Sequence, residues 1–170
     1  MVRHVTAACL AVGALFGLLG SLLAPGPPQN GSWEISSLGL IVGAGLLAGR
    51  LARNGQDSVA AGFALLAVAE AIMSSGTAAP PPTAIATFGA GVALYVPALI
   101  LVSLPPVFPI WSRGAGMLAA VPFAAEAVLV FANRAEPPTG PLPSAGYTLM
   151  TVAVVGWIIQ GRAGFGGDQL

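Results

Sequence analysis

Glu70 and Glu126 are the residues of this sequence best placed to do chemistry, because each is an ionisable side chain well inside a long apolar run. A carboxyl group at the middle of a membrane helix costs roughly 2.5 to 3.5 kcal/mol on insertion scales. Such groups usually face a bundle interior and mark paths for ions, protons or polar solutes. The two glutamates also share a setting. Ala69-Glu70-Ala71 and the downstream Pro81-Pro82-Thr83 recur 56 positions later as Ala125-Glu126-Ala127 and Pro137-Pro138-Thr139. One reading is a pair of carboxylates that bind a cation or relay protons. The other is structural. Each glutamate lies six or seven residues from the end of its run, roughly 10 Å at helical rise, so it could lean toward water or hydrogen-bond a neighbouring helix.

Few other residues offer chemistry. His4 is the only histidine and precedes the first apolar run, so no histidine cluster can form for a metal within one chain. Cys9 is the only cysteine, which excludes an intramolecular disulfide and a Cys-x-x-Cys pair, and it reads as a small packing residue. No nucleophilic Ser or Cys is placed beside a histidine, and the Gly164 to Gly167 tail lacks the following helix that a phosphate-binding loop requires. An enzyme is therefore not expected, and no cofactor is implied. Pro97 and Pro122 fall inside apolar runs, where each removes a backbone donor and frees the carbonyl four residues earlier, so helix kinks are expected there.

The elements that must position the glutamates are membrane helices. Of the residues, 56% are hydrophobic and 7% charged, with a mean hydropathy of +0.86. Ordinary soluble domains carry about 25% charged residues. Six runs approach the roughly 20 residues that a helix needs to cross the hydrocarbon core. They are Val5 to Ala24, Ile35 to Ala52, Val59 to Thr77, Ala84 to Leu104, Ala115 to Ala132 and Ala145 to Gln160. The second and sixth are short for a span and leave re-entrant alternatives open. The first could be a secretory signal, but Leu22 and Pro25 make a poor cleavage site around Ala24, so a retained helix is expected. The whole chain, residues 1–170, reads as a single polytopic domain.

Connectors alternate in character. Pro25-Gly26-Pro27-Pro28, Pro80-Pro81-Pro82 and Pro137-Pro138 mark one set, and Arg50, Arg53 and Arg113 mark the other. A cytoplasmic N-terminus puts Arg3, Arg50, Arg53, Arg113 and Arg162 inside and only Arg134 outside, as the positive-inside rule asks of short loops. Trp33 then sits at the outer interface, and Trp111 and Trp157 near the inner one. Arg134 and Glu136 solvate the outer loop. The 56-residue period also aligns Pro25 with Pro81 and Pro137, which suggests three successive helical hairpins of one design, although the first copy has Ala14 where the others have Glu. Gly13-xxx-Gly17, Gly39-xxx-Gly43 and Gly45-xxx-Gly49 put small residues where helices can approach closely, within the chain or between copies.

The expected fold is an all-α integral membrane bundle of about six transmembrane helices with both ends in the cytoplasm. The absence of Lys beside abundant Ala, Gly, Pro and Arg points to a high-GC bacterial gene, and so to the cell membrane. A net charge of zero without a basic patch excludes nucleic acid as a partner. The expected partners are the lipid bilayer and either a second copy or another membrane subunit. Two functions stay open: a small transporter or channel subunit that uses Glu70 and Glu126, and a non-transporting scaffold, assembly or accessory subunit in which both are structural.

Overall fold

The computed structural model describes residues 1–77, 79, 81–134 and 139–165. Pro80, Glu136, Pro137, Pro138 and the end of the glycine-rich tail, Gly166 and Gly167, lie outside the described residues. The described residues form six helices and no strands: α1 (Val2–Leu22), α2 (Pro27–Arg53), α3 (Asp57–Gly76), α4 (Pro81–Ser103), α5 (Ile110–Phe131) and α6 (Pro141–Ala163). All six are long and apolar enough to cross a membrane.

The second and sixth helices are longer than their apolar runs, at 27 and 23 residues. The α2 extension carries polar side chains that its neighbour satisfies. Gln29 Nε2 donates to the carbonyls of Gly20 and Leu23, each at 3.1 Å, which ties the start of α2 to the end of α1. Hydroxyls at the start of α6 bond inside their own helix, Thr148 to the Ser144 carbonyl and Thr151 to that of Tyr147. Proline at the first positions of both helices supplies a preset φ where an amide donor is not needed. Length therefore gives no reason to treat either segment as re-entrant.

The turns have local causes. Gly55 adopts φ 70°, and the Gln56 amide bonds back to the Leu51 carbonyl at 2.9 Å, closing α2 before α3 begins. Asn133 does the same at φ 55° after α5, with the Arg134 amide bonded to the Leu129 carbonyl at 2.8 Å. Between α4 and α5, Arg113 reaches back to the carbonyls of Ser103 and Leu104 at 2.7 and 2.6 Å, so it caps the C-terminus of α4.

Each helix packs on its neighbours in sequence, most extensively within the hairpins α1–α2, α3–α4 and α5–α6, and α1 closes the ring against α6. The α1–α6 seam is the sparsest of these contacts. The α1–α2 crossing is close because glycines line it. A Cβ on Gly39 would lie 2.7 Å from both the Cys9 carbonyl oxygen and the Gly13 nitrogen. Gly13 and Gly43 receive the side chains of Leu40 and Leu10. Gly45 meets nothing within 4 Å, so Gly45-xxx-Gly49 takes no part in this crossing.

The outer surface of the ring is apolar. Leu15, Leu38, Val121, Val128 and Ile159 are exposed, and the polar side chains Ser36, Glu70, Ser112 and Glu126 are buried. That inversion of the soluble pattern fits lipid contact. Inside, Phe63 packs edge-on against Trp157 and Phe108, with centroids 5.0 and 5.8 Å apart, and Phe165 stacks edge-on against Phe108. Trp157 is thus part of the core, 1% exposed, and not an interfacial residue. Its ring fills the space between α3 and the α4–α5 connection. Of the three tryptophans, Trp111 is the exposed one.

Candidate functional site

In the half of the ring away from the two termini, the helices enclose a cavity of about 300 Å³. Its walls come from the C-terminal halves of α1 and α3 and the N-terminal halves of α2, α4 and α6. Glu70 lines it and is 3% exposed. The Tyr95 hydroxyl donates to Oε1 of Glu70, and the Ser37 hydroxyl donates to Oε2 at 2.8 Å. A carboxylate is an acceptor only, so two hydroxyl donors, one on each oxygen, suit its anionic form.

Packing places these partners. A Cβ on Gly91 of α4 would lie 2.9 Å from the Ala69 carbonyl, so α4 runs against α3 beside Glu70. Tyr95 follows one turn after Gly91 on the same face. Its ring is held against Phe123 at 4.9 Å and Tyr147 at 6.1 Å. On α2, adjacent serines serve different neighbours. Ser36 donates to the Gly13 carbonyl of α1 at 2.7 Å, and Ser37 serves Glu70 of α3.

The rest of the lining is mixed. Trp33, Leu40, Met73, Phe88, Met150 and Val154 present apolar surface, and Ser74, Thr77, Thr148 and Thr151 add hydroxyls. The Ser74 hydroxyl, one turn beyond Glu70, is buried and has no hydrogen-bond partner among the described residues. The cavity extends to the far end of the bundle, where the exposed Thr77 lines it and donates to Glu34 Oε1. The chain has no Lys, and neither Arg nor His lines the cavity.

The two sequence candidates separate. Glu126 is fully buried on α5, one turn past Phe123, and does not line the cavity. Pro97 and Pro122 lie within continuous helices and also stay outside it, Pro97 on the exposed face of α4. Sequence reasoning missed Tyr95, Ser37 and Glu34. Glu34 fell just outside the second apolar run, where it resembled a loop residue. No pattern could reveal that Tyr95 and Ser37 face α3, because spacing fixes a face of a helix but not which neighbour it meets.

At the other end, Arg50 is 6% exposed. Its Nη1 donates to the Gly161 carbonyl at 3.1 Å, and its guanidinium carbon sits 5.1 Å from the Phe165 ring centroid. It ties α2 to α6, a larger structural role than marking topology. Arg3, Arg50 and Arg53 border a separate cleft there. Arg162 lies in the last turn of α6. Among the described residues no cluster of three His, Cys, Asp or Glu side chains forms.

The fold and its apolar exterior define a multi-pass membrane protein. No family model matches the chain, and no curated protein or solved structure matches it.

Proposed function

We propose that this protein is a small membrane transporter or channel subunit, without covalent chemistry of its own, in which Glu70 contacts a cation or a proton during passage. The observation that carries this reading is the setting of Glu70: a buried carboxyl on a cavity wall, given a hydroxyl donor on each oxygen, with no basic residue lining the space. A structural carboxyl in apolar surroundings would be expected to pair with an internal cation. None of the six arginines or His4 lines this cavity, so when Glu70 is ionised no cation of the lining balances it, and a proton or a cation from outside the chain can. The location of Glu126 away from the cavity favours a packing and hydrogen-bonding role for that residue.

Both termini are assigned to the cytoplasm. The support is the alternation of six helices, which gathers Arg3, Arg50, Arg53, Arg113 and Arg162 at one end and leaves Arg134 at the other. The cavity then faces outward in a bacterial cell membrane, and a second copy or another membrane subunit remains a candidate partner.

The test uses proteoliposomes loaded with a pH-sensitive dye and diluted into chlorides of inorganic and organic cations. The expected result is proton movement that one or more cations elicit and that Glu70→Gln abolishes. Gln keeps the shape and hydrogen bonding but loses the charge. Traces matching empty liposomes for every cation would overturn the transport reading.

A further inference from the structure

Resting on the assignment of Glu70 as a cation contact, we infer that the cavity is a binding site for a lipophilic organic cation, an amine or quaternary ammonium with a compact aromatic or aliphatic body, rather than for a bare metal ion. Its volume is the first reason. About 300 Å³ is far more than a dehydrated inorganic ion occupies, and it falls at the lower end of sites that hold small organic molecules.

The lining is the second reason. A desolvated inorganic cation takes oxygen ligands around its whole sphere, typically six or more for a hard divalent ion. Among the described residues Glu70 is the only carboxylate on these walls, and the other side-chain oxygens that line them belong to neutral hydroxyl and amide groups. Most of the remaining surface comes from Trp33, Leu40, Met73, Phe88 and Met150. Such walls match the carbon body of an organic cation, and the faces of Trp33, Phe88 and Tyr147 suit its positive end through cation–π attraction.

The third reason is the distribution of polar groups. Glu70 supplies one negative point on an apolar wall, and the buried Ser74 hydroxyl lies about one helical turn away, with no partner among the described residues. A protonated amine could donate to both, and a quaternary ammonium could use Glu70 alone. Glu34, bonded to the cavity-lining Thr77, adds acidity at the exposed end. Charge therefore favours a cation along the approach as well as at the site.

The experiment is equilibrium dialysis of the purified full-length protein in detergent with radiolabelled benzyltrimethylammonium. Neopentylbenzene, its uncharged carbon isostere, and sodium or potassium chloride serve as competitors. Saturable binding is expected, with the isostere competing at least about 30-fold more weakly and Glu70→Gln losing at least about 30-fold, as goes with removing one partner of a buried charge pair. Ala14→Phe puts bulk into the cavity from α1 while leaving the Glu70 side chain unaltered in sequence, and it should abolish binding in a protein that still folds. It also serves if Glu70→Gln does not fold, because binding that survives in folded Ala14→Phe overturns the site. If sodium or potassium binds in a Glu70-dependent way and benzyltrimethylammonium does not, the organic-cation inference fails while the cation role of Glu70 stands. If no cation binds, or the neutral isostere binds equally well, both fail.

Discussion

Replacing Gly39 with Ala tests whether the ring is closed by direct backbone contact between α1 and α2. The added methyl would lie 2.7 Å from the Cys9 carbonyl oxygen and the Gly13 nitrogen and 3.0 Å from the Gly13 Cα. Ordinary contact begins near 3.4 Å, so the helices must separate by about 0.7 Å, and backbone atoms cannot swing aside as a flexible side chain could. The same movement stretches the Ser36 bond to the Gly13 carbonyl, now 2.7 Å, and loosens the contacts of Leu10 and Leu40 with the glycines opposite. Overpacking of this kind costs about 1 to 3 kcal/mol. Gly45→Ala is the matched control, since it lies on the same helix with nothing within 4 Å. Both substitutions gain about the same helix propensity, up to about 1 kcal/mol, and that gain cancels in their difference. Equilibrium unfolding in mixed micelles titrated with a denaturing detergent, followed by circular dichroism, should therefore place Gly39→Ala about 1 to 3 kcal/mol below Gly45→Ala. Agreement of the two within about 0.5 kcal/mol would refute the close crossing.

Three further outcomes are expected. Tyr95→Phe removes the hydroxyl from Glu70 Oε1 while keeping the ring packed on Phe123, so stability in the same titration should fall by about 1 to 3 kcal/mol; no change would mean that the bond is not formed. Arg113→Gln uncaps the carbonyls of Ser103 and Leu104, and amide exchange should quicken over the last turn of α4 and the following connection while the centre of α4 stays protected. On a Cys9→Ser background, single cysteines at the exposed positions Asn30, Thr77 and Thr139 should react with an impermeant thiol reagent in intact cells, and those at Asn54 and Pro106 should not; the reverse pattern inverts the assigned orientation.

The number of helices was legible because apolar length is a direct physical requirement of crossing a bilayer. The ends of α2 and α6 were less so, since a hydropathy window stops at polar residues. Gln29 stays helical because α1 offers it two carbonyls, a fact of tertiary contact that no window contains. Glu70 was legible for the same reason that it is informative: a carboxyl is conspicuous in an apolar run. Its equivalence to Glu126 in the repeat did not extend to their surroundings, because one lines a cavity and the other is enclosed beside Phe123 on α5. The glycine pairs on α1 and at Gly39 and Gly43 predicted close approach, whereas Gly45 and Gly49 look the same in sequence and pack against no other helix. Spacing fixes a face of a helix but not which neighbour that face meets.

The distribution of aromatic rings bears on how a solute could pass. Phe63, Phe108, Trp157 and Phe165 interlock in the half of the ring nearest the termini, and the cavity with Glu70 occupies the other half. Tyr95, Phe123 and Tyr147 form a second cluster beside Glu70, with Tyr147 edge-on to the other two and Tyr95 tilted against Phe123. On the proposed transport role, a cation that reached Glu70 from the far end would meet these packed rings before the second surface. Passage under that proposal would require those rings to part, and a close-packed cluster yields by shifting whole helices rather than by gradual deformation. The seam between α1 and α6 is the place where such a shift sacrifices least packing, because it is the sparsest contact in the ring and α1 is the least buried helix. The α1–α2 crossing, by contrast, is bound by backbone contacts at Gly39 and by the Ser36 and Gln29 bonds, so α1 and α2 would move as one body. Because α2 carries Ser37, movement of that hairpin would also withdraw a donor from Glu70, and under the proposed role this would couple opening of the ring to cation affinity at the carboxyl.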